Sequence, residues 1–199
     1  MPSSIRNRHT IRLPGYDYTQ PGAYFVTIVT QDRINRFGEI QNGNMVINKI
    51  GCIIQTCWLD LPHRFPGIEL DEYVIMPNHF HGIIFITENM AGAMDTPVSR
   101  RGSPCGCPAP GQTDQGVGTS PTPTKQINLG DIVGAFKSIT TDQYIAGVHQ
   151  SGWPPFHRRL WQRNYYEHIV RNEAEWQKIR QYIRNNPLQW ELDIENPSP

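Results

Sequence analysis

The sequence predicts an α+β fold in which helices pack against a mainly antiparallel sheet. Three observations support this prediction: short runs of β-branched and aromatic residues, turn signals of the hairpin type between such runs, and segments whose apolar residues recur with helical spacing. Hairpins join neighbouring strands in antiparallel order, and helices that cover one face of such a sheet give the α+β class.

The first part of the chain predicts a strand, a hairpin and a helix in that order. Residues 24–30 (YFVTIVT) are rich in β-branched and aromatic side chains and predict the strand. Residues 37–40 and 45–47 flank the pair Asn42-Gly43, which favours a hairpin turn. The helix follows from residue 48, and its apolar face consists of Ile50, Ile53, Ile54, Cys57, Trp58 and Leu61.

Two further strands, 73–76 and 80–86, precede a segment with no strand or helix signal. Residues 91–124 of that segment hold 6 Gly, 6 Pro and 8 Ser or Thr, with no aromatic residue. Such a composition buries too little apolar surface to offset the entropy of ordering it. We therefore expect one domain over 1–199, interrupted by a flexible loop at about 88–126.

The chain after this loop predicts a helix and a short extended segment. Asn128 is a suitable N-cap for the helix because Asp131 follows at the third position. Residues 156–161 predict the extended segment. The core face of the helix consists of Leu129, Ile132, Val133 and Phe136.

Two N-cap patterns predict helices near the C-terminus. Asn164 and Asn172 are each followed by an acidic residue three positions later, a spacing typical of helix starts. The last helix covers about 173–186, and Pro187 is expected to end it. Its apolar face consists of Trp176, Ile179 and Ile183.

Composition and charge exclude several classes of protein. The 18 basic and 18 acidic residues exclude a uniformly basic nucleic-acid coat and an acidic solvating chain. No segment approaches the roughly 18 apolar residues of a membrane span, and the N-terminus lacks the apolar region of a secretory signal. Four cysteines do not make a disulfide scaffold. We therefore expect a cytoplasmic chain without a membrane partner, and weak zinc candidates at Cys105 with Cys107 and at Cys52 with Cys57.

His79 and His81 are the strongest candidates for metal ligands. Side chains alternate across a strand, so both imidazoles share one face while Phe80 points the other way into apolar packing. The two residues are about 7 Å apart along the strand and can converge on one ion. Gly82 would leave space for a ligand backbone to approach. The alternative is a pair of surface or hydrogen-bonded histidines on a half-exposed strand.

Tyr182 and Asn186 form a second candidate group. They lie at positions i and i+4 of the last predicted helix and are therefore neighbours at the edge of its apolar face. A tyrosine hydroxyl is a poor nucleophile unless a cation or a base activates it, and an ion or Lys178, one turn earlier, could do so. The alternative is an ordinary amphipathic tyrosine.

Three segments of this chain resemble the REP-associated tyrosine transposases. These are single-tyrosine transposases of the insertion-sequence type in the HUH endonuclease superfamily. The segments are RLPGYDYTQPGAYFVTIVTQDR, MPNHFHGIIFI and LWQRNYYEHIVRNEAEWQKIRQYIRNNP. The resemblance covers nearly the whole chain outside 88–126 and implies the HUH variant of the ferredoxin-like fold.

The resemblance also implies a catalytic set. His79 and His81 match the HUH metal ligands, and Tyr182 matches the nucleophile. Asn186 stands where the insertion-sequence relatives have glutamine as a third ligand of Mg²⁺ or Mn²⁺. Tyr165 and Tyr166 compete for the nucleophile role, but neither has a ligand-type residue four positions later, so packing or stacking on unpaired bases is the expected role.

The implied function is that of a metal-dependent single-stranded DNA endonuclease and strand transferase acting on hairpin DNA of the REP type through a 5′-phosphotyrosine link. A host-retained hairpin-binding module without catalysis and a nuclease that uses metal-activated water are the alternatives. The sequence leaves open whether the protein is a monomer or a homodimer. Beside Tyr165 and Tyr166, the candidate DNA-binding residues are Lys137, Arg163, Arg171 and Lys178. For Arg180 we expect a solvated surface charge.

Overall fold

A four-stranded antiparallel sheet forms the centre of the protein. The computed structural model describes residues 13, 15–87 and 127–197. The central strands are β1 (Gly22–Val29), β4 (Ile68–Ile75), β5 (His79–Ile86) and β6 (Tyr166–Val170), in the order β4-β5-β1-β6. A separate hairpin consists of β2 (Gly38–Gln41) and β3 (Asn44–Ile47).

Four α-helices accompany the sheet in the described part of the chain. They are α1 (Lys49–Leu59), α2 (Leu61–Arg64), α3 (Leu129–Ser151) and α4 (Glu173–Asn185), and a 3-10 helix over Asn186–Leu192 continues directly from α4. With the β2–β3 hairpin set aside, the order is β-α-β-β-α-β, the split βαβ arrangement of ferredoxin-like folds. The predicted α+β fold with a mainly antiparallel sheet is therefore confirmed.

Asparagine side chains cap three of the helices, and the sequence predicts two of these caps, at Asn128 and Asn172. Asn48 Oδ1 accepts hydrogen bonds from two backbone N–H groups at the start of α1. Asn128 and Asp131 form a reciprocal capping box at the start of α3. Asn172 accepts from the Glu175 N–H at the start of α4. Each cap satisfies donors that the helix itself leaves unpaired, so these boundaries depend on local sequence.

The helix start predicted at Asn164 is wrong. Residues 166–170 form β6, which pairs with β1 so that Tyr24 lies opposite Ile169. Without β6, β1 would be an open edge, and pairing along five residues outweighs a local capping signal. The predicted extended segment 156–161 is reduced to a single bridge between Thr30 and Trp161.

The two faces of the sheet carry different side chains. Tyr24, Val26 and Ile28 point to the face covered by α1 and α3, where the Phe80 ring packs 4.5 Å from that of Trp58. The opposite face carries His79 and His81 together with Thr27 of β1, and it is covered by α4 and the C-terminal segment. The alternation predicted for residues 79–81 is therefore confirmed, and it places the histidines on the α4 face.

The lack of a side chain at Gly82 lets the sheet pack closely against α1. The sequence instead suggested that this glycine leaves space for a ligand backbone. A Cβ atom at residue 82 would lie 2.5 Å from the indole ring of Trp58. We expect Gly82→Ala to lower the free energy of unfolding by about 1–3 kcal/mol through overpacking, measured by urea denaturation. Gly134→Ala is the matched control: that glycine is exposed in α3 with no atom near the added Cβ, so it should stabilise by up to about 1 kcal/mol. Equal effects of the two variants would contradict this role.

The chain shows no helix in its described residues that is long and apolar enough to cross a membrane. The cytoplasmic location and the single-domain organisation stay predictions. The loop at 88–126, with Cys105 and Cys107, lies outside the described residues.

Candidate active site

The imidazoles of His79 and His81 lie side by side at the start of β5. Their ring centroids are 4.6 Å apart and the rings are inclined by 71°. His79 is fully buried and His81 is 4% exposed, which differs from the half-exposed pair that the alternative interpretation assumed. Two buried imidazoles this close need either polar partners or a shared ligand.

Hydrogen bonds at Nδ1 orient both rings. His79 Nδ1 donates to Asn78 Oδ1 over 2.9 Å, since a carbonyl oxygen only accepts. His81 Nδ1 shares a hydrogen bond of 2.8 Å with Thr27 Oγ1 on the neighbouring strand. With its proton on Nδ1, His79 presents the Nε2 lone pair to the site, and this atom is buried without a hydrogen-bond partner. His81 presents its Nε2 lone pair in the same way when Thr27 Oγ1 accepts from the Nδ1–H group.

Burial keeps both histidines neutral. Desolvation lowers the pKa of His81 well below its ordinary value, and the nearby His79 lowers it further. The pKa of His79 is also lowered by burial, although the carboxylates of Asp193 and Glu195 oppose this. A neutral imidazole is the form that binds a metal ion, so the pair is ready to act as a ligand near neutral pH.

Helix α4 brings Tyr182 to this pair. The Tyr182 hydroxyl oxygen lies 3.4 Å from His81 Nε2 of the same chain, and Phe25 packs edge-on against its ring. The tyrosine is 41% exposed, so the open side of the site lies at its ring. Partial burial raises the pKa of Tyr182, and the hydroxyl is therefore protonated near neutral pH and needs activation to act as a nucleophile.

Asn186 lies on the same side of the helix, one turn beyond Tyr182. Its side chain is buried at 1% exposure, and Nδ2 donates to Asp193 Oδ2 over 3.2 Å. Its Oδ1 atom is buried and has no hydrogen-bond partner. The backbone at Asn186 stays helical although Pro187 follows, because the chain continues as a 3-10 helix. Pro187 therefore ends α4 as predicted without displacing Asn186 from the site.

Asp193 completes the group, and the sequence did not identify it. Its Oδ2 lies 3.8 Å from His79 Nε2, and its Oδ1 accepts a hydrogen bond from the Glu195 N–H. Glu195 in turn pairs with Arg33 over 2.6 Å and accepts from Asn78 Nδ2 at its carbonyl. In the sequence, Asp193 is one of three acids within five residues, and no spacing rule distinguishes it from its neighbours.

These residues fit a divalent cation. Among the described residues, one group of His, Cys, Asp and Glu side chains has the proximity of a metal site, namely His79, His81 and Asp193, whose ligand atoms lie within 4.8 Å of one another. The unpartnered atoms His79 Nε2 and Asn186 Oδ1 are buried beside it. Imidazole nitrogens with carboxylate and amide oxygens are the mixed donor set that divalent transition ions accept.

Lys137 supports a loop rather than facing open solvent. Its ammonium group donates to the backbone carbonyls of Gln162, Arg163 and Asn164 at 2.6, 3.1 and 3.4 Å. Burial lowers the pKa of Lys137 to about 8, with a further contribution from Arg159. The DNA-facing role expected for Lys137 stays a prediction, and its observed contacts hold residues 162–164 in place.

The other candidate DNA-binding residues differ in how much of each side chain is open to solvent. Arg163, Arg171 and Lys178 are exposed. Tyr166 is 45% exposed and lies opposite Thr27 in the sheet, which puts it on the same face as the histidines. Tyr165 instead packs against the hydrophobic core, so only one of the two tyrosines has a ring open for stacking.

Arg180 is not the solvated surface charge that the sequence suggested. It pairs with Asp71 and Glu72 of β4 at 3.4 and 3.3 Å, and its guanidinium lies 5.1 Å from the ring of Trp176. Its role is to hold α4 against the sheet. The zinc candidate in α1 gains no support, because Cys52 is exposed while Cys57 is buried.

Sequence comparison finds a relative that matches this chain over nearly its full length. An uncharacterized protein of Haemophilus influenzae (strain Rd) is 39% identical over 194 residues, which cover 96% of this chain and 94% of the relative. The two proteins belong to one family. No protein-family model matches the chain.

One solved structure shows the fold of this chain. The structure of a REP-associated tyrosine transposase bound to a REP hairpin superposes with a TM-score of 0.50 at 16% identity, over 87% of this chain and 71% of that one. A structure from Deinococcus radiodurans R1 gives a TM-score of 0.40 at 18% identity, over 87% of this chain and 95% of that one. The first superposition confirms the predicted likeness to the REP-associated tyrosine transposases at the level of the fold.

Proposed function

We propose that this protein is a metal-dependent single-stranded DNA endonuclease and strand transferase that forms a 5′-phosphotyrosine link on hairpin-type DNA. The observation that carries the proposal is the 3.4 Å approach of the Tyr182 hydroxyl to His81 Nε2, within a buried group that suits a divalent ion. A structural tyrosine would have no need of two neutral imidazoles and a carboxylate beside its hydroxyl. The fold, shared with a transposase bound to a REP hairpin, supports hairpin DNA as the substrate class.

In the proposed reaction the Tyr182 oxygen forms a bond to the scissile phosphorus. The bond from phosphorus to the 3′ oxygen of the preceding nucleotide breaks, the phenolic proton leaves, and the released 3′ oxygen takes up a proton. No co-reactant is consumed, because the phosphodiester energy is kept in the tyrosine link. A DNA 3′-hydroxyl can therefore reverse the step and join a new strand.

The chain's own residues have distinct roles in this proposal. Thr27 and Asn78 hold the imidazoles so that both Nε2 atoms face the reaction site. His79 and His81, with Asn186 or Asp193, would hold Mg²⁺ or Mn²⁺, which as a Lewis acid polarises the scissile phosphate when bound. Tyr182 belongs to the same chain as His81, so we propose that a single chain suffices for cleavage.

The test is a denaturing gel of a hairpin DNA labelled separately on the two sides of the cleavage point. With Mn²⁺ or Mg²⁺, we expect the label on the 3′ side to migrate with the protein and the label on the 5′ side to be released as free DNA. Chelation of the metal ion should abolish both products. Binding without cleavage would contradict the proposal and favour a hairpin-binding module, whereas cleaved ends without an adduct would favour a water-using nuclease.

A further inference from the structure

A second cleft lies outside the candidate active site, between α3 and residues 156–163. Its volume is about 430 Å³. Ile145 and Phe156 supply apolar surface, and Ile145 is 40% exposed. The charged residues that line the cleft are four bases and one acid: Lys137, Arg158, Arg159, Arg163 and Asp142. An apolar floor with a basic rim has the character of a site for an unpaired base and its phosphates.

The arginines of this cleft have no ionic partner within the described part of the chain. Arg158, Arg159 and Arg163 are exposed, and no ion pair joins them to a described acidic residue. Two other arginines hold distant parts of the fold together, since Arg33 pairs with Glu195 and Arg184 with Glu72. Unpaired guanidinium groups gathered at one cleft are therefore available to bind an anionic ligand.

Arg158 has a strained backbone. Its φ angle is +63°, a left-handed conformation that non-glycine residues rarely adopt. Arg158 and Arg159 also border a neighbouring cleft of about 290 Å³ with Gln31, Asp32 and His157. The two arginines thus form a ridge between two clefts, and strain of this kind is often retained where a side chain must be presented for binding.

The sheet connects this region with the candidate active site. His79 lies opposite Val29 in the sheet, and the Val29 carbonyl accepts a hydrogen bond from the Gln162 N–H on its other side. Two strand spacings, about 10 Å, therefore separate the His79 strand from the edge of the cleft. The cleft of about 290 Å³ begins just beyond β1, at Gln31 and Asp32. The carbonyl of the next residue, Arg33, accepts a hydrogen bond from Asn78 Nδ2, beside His79. Helix α3 covers the sheet face opposite to Tyr182, so a DNA strand held at Tyr182 would pass the end of β1 to reach the arginine ridge.

We propose that this cleft binds the single-stranded flank of the hairpin substrate, with phosphates paired to Arg158, Arg159 and Arg163 and an unpaired base resting on Ile145 and Phe156. The inference rests on the proposed function, since it assigns a subsite for the same DNA. Single-stranded DNA fits better than duplex, because a base must leave its stack to reach the apolar floor.

Binding of fluorescent hairpins, measured by anisotropy in EDTA so that no cleavage occurs, tests this subsite. One hairpin carries single-stranded flanks and the other is trimmed to the stem. We expect the double variant Arg158→Gln with Arg159→Gln to weaken binding of the flanked hairpin about tenfold or more and to leave the trimmed hairpin nearly unaffected. The slope of log affinity against log salt concentration should become less steep by about 1.4. Each of the two lost phosphate contacts contributes about 0.7 to this slope for a single strand.

Two further variants control for net charge and for folding. Lys49→Gln with Arg64→Gln removes two exposed positive charges from α1 and α2, neither of which lines the cleft, and should not reproduce the effect. Ile145→Glu places a negative charge on the apolar floor of the cleft, so it should also weaken binding of the flanked hairpin selectively. All these side chains are exposed, and melting temperatures near that of the wild type are expected.

The inference would be overturned by equal losses on flanked and trimmed hairpins, by an equal loss in the control double variant, or by no loss at all. Its failure is distinguishable from failure of the proposed function. Adduct formation without any contribution of the flank to affinity would reject the subsite alone. Arginine-dependent binding of the flank without any adduct would reject the proposed cleavage chemistry and leave the subsite standing.

Discussion

Replacing Tyr182 with phenylalanine is expected to abolish the covalent protein–DNA adduct and to reduce cleavage more than about 1,000-fold. The change removes the proposed attacking oxygen and keeps the aromatic ring that packs against Phe25 and His81. The hydroxyl oxygen lies 3.4 Å from His81 Nε2, a long distance for a hydrogen bond, so its loss should hardly alter stability. The measurement is quantification of the adduct on a denaturing gel with the flanked hairpin.

Tyr166→Phe is the matched variant for this prediction. Tyr166 is comparably exposed and lies on the same sheet face, opposite Thr27. The Tyr166→Phe variant lacks the competing hydroxyl but keeps an aromatic ring for base stacking. The adduct should still form, because Tyr182 is unchanged. An adduct that persists in Tyr182→Phe and disappears in Tyr166→Phe would transfer the nucleophile role to β6. Cleavage without adduct in both variants would show that water is the nucleophile.

Replacing His79 with alanine is expected to weaken Mn²⁺ binding more than about 100-fold. Loss of partners that only orient a ligand costs 10–100-fold in many metal sites, so loss of a ligand itself should cost more. His79 is fully buried, and its Nε2 has no hydrogen-bond partner. Mn²⁺ binding can be followed by titration calorimetry, with a thermal melt to verify that the variant is folded.

His168→Ala is the control for this measurement. His168 is exposed and bonded to Glu175, apart from the buried pair, so its substitution should leave Mn²⁺ affinity unchanged. Unchanged affinity in His79→Ala would contradict the metal site. The variants Asn186→Ala and Asp193→Asn then identify the oxygen ligand, because the variant that removes it should bind Mn²⁺ more weakly than the other.

Much of the fold was predictable because its signals are local. The side-chain period of two placed His79 and His81 on one strand face, and the packing of Phe80 on the other face followed from the same rule. Asn128 and Asn172 cap helices through bonds to residues three positions away, so short windows of sequence were sufficient.

The errors have a common physical cause. Strand β6 was missed because its stability comes from pairing with β1, more than a hundred residues earlier in the chain. Arg180 was misjudged because its partners, Asp71 and Glu72, are supplied by β4 when α4 packs on the sheet. Gly82 was assigned to ligand approach although Trp58 of α1 fills the space beside it. In each case the deciding contact is distant in sequence.

The sequence by itself determined which side chains could do chemistry and, through helix and strand periods, which of them share a face: His79 with His81, and Tyr182 with Asn186. The tertiary structure alone decided that these two faces meet, since only the packing of α4 on β5 brings the Tyr182 hydroxyl to His81. It also brought Asp193 to His79 through the 3-10 helix over Asn186–Leu192. Periodicity specifies orientation along one element, whereas distances between elements depend on the packing of the whole chain.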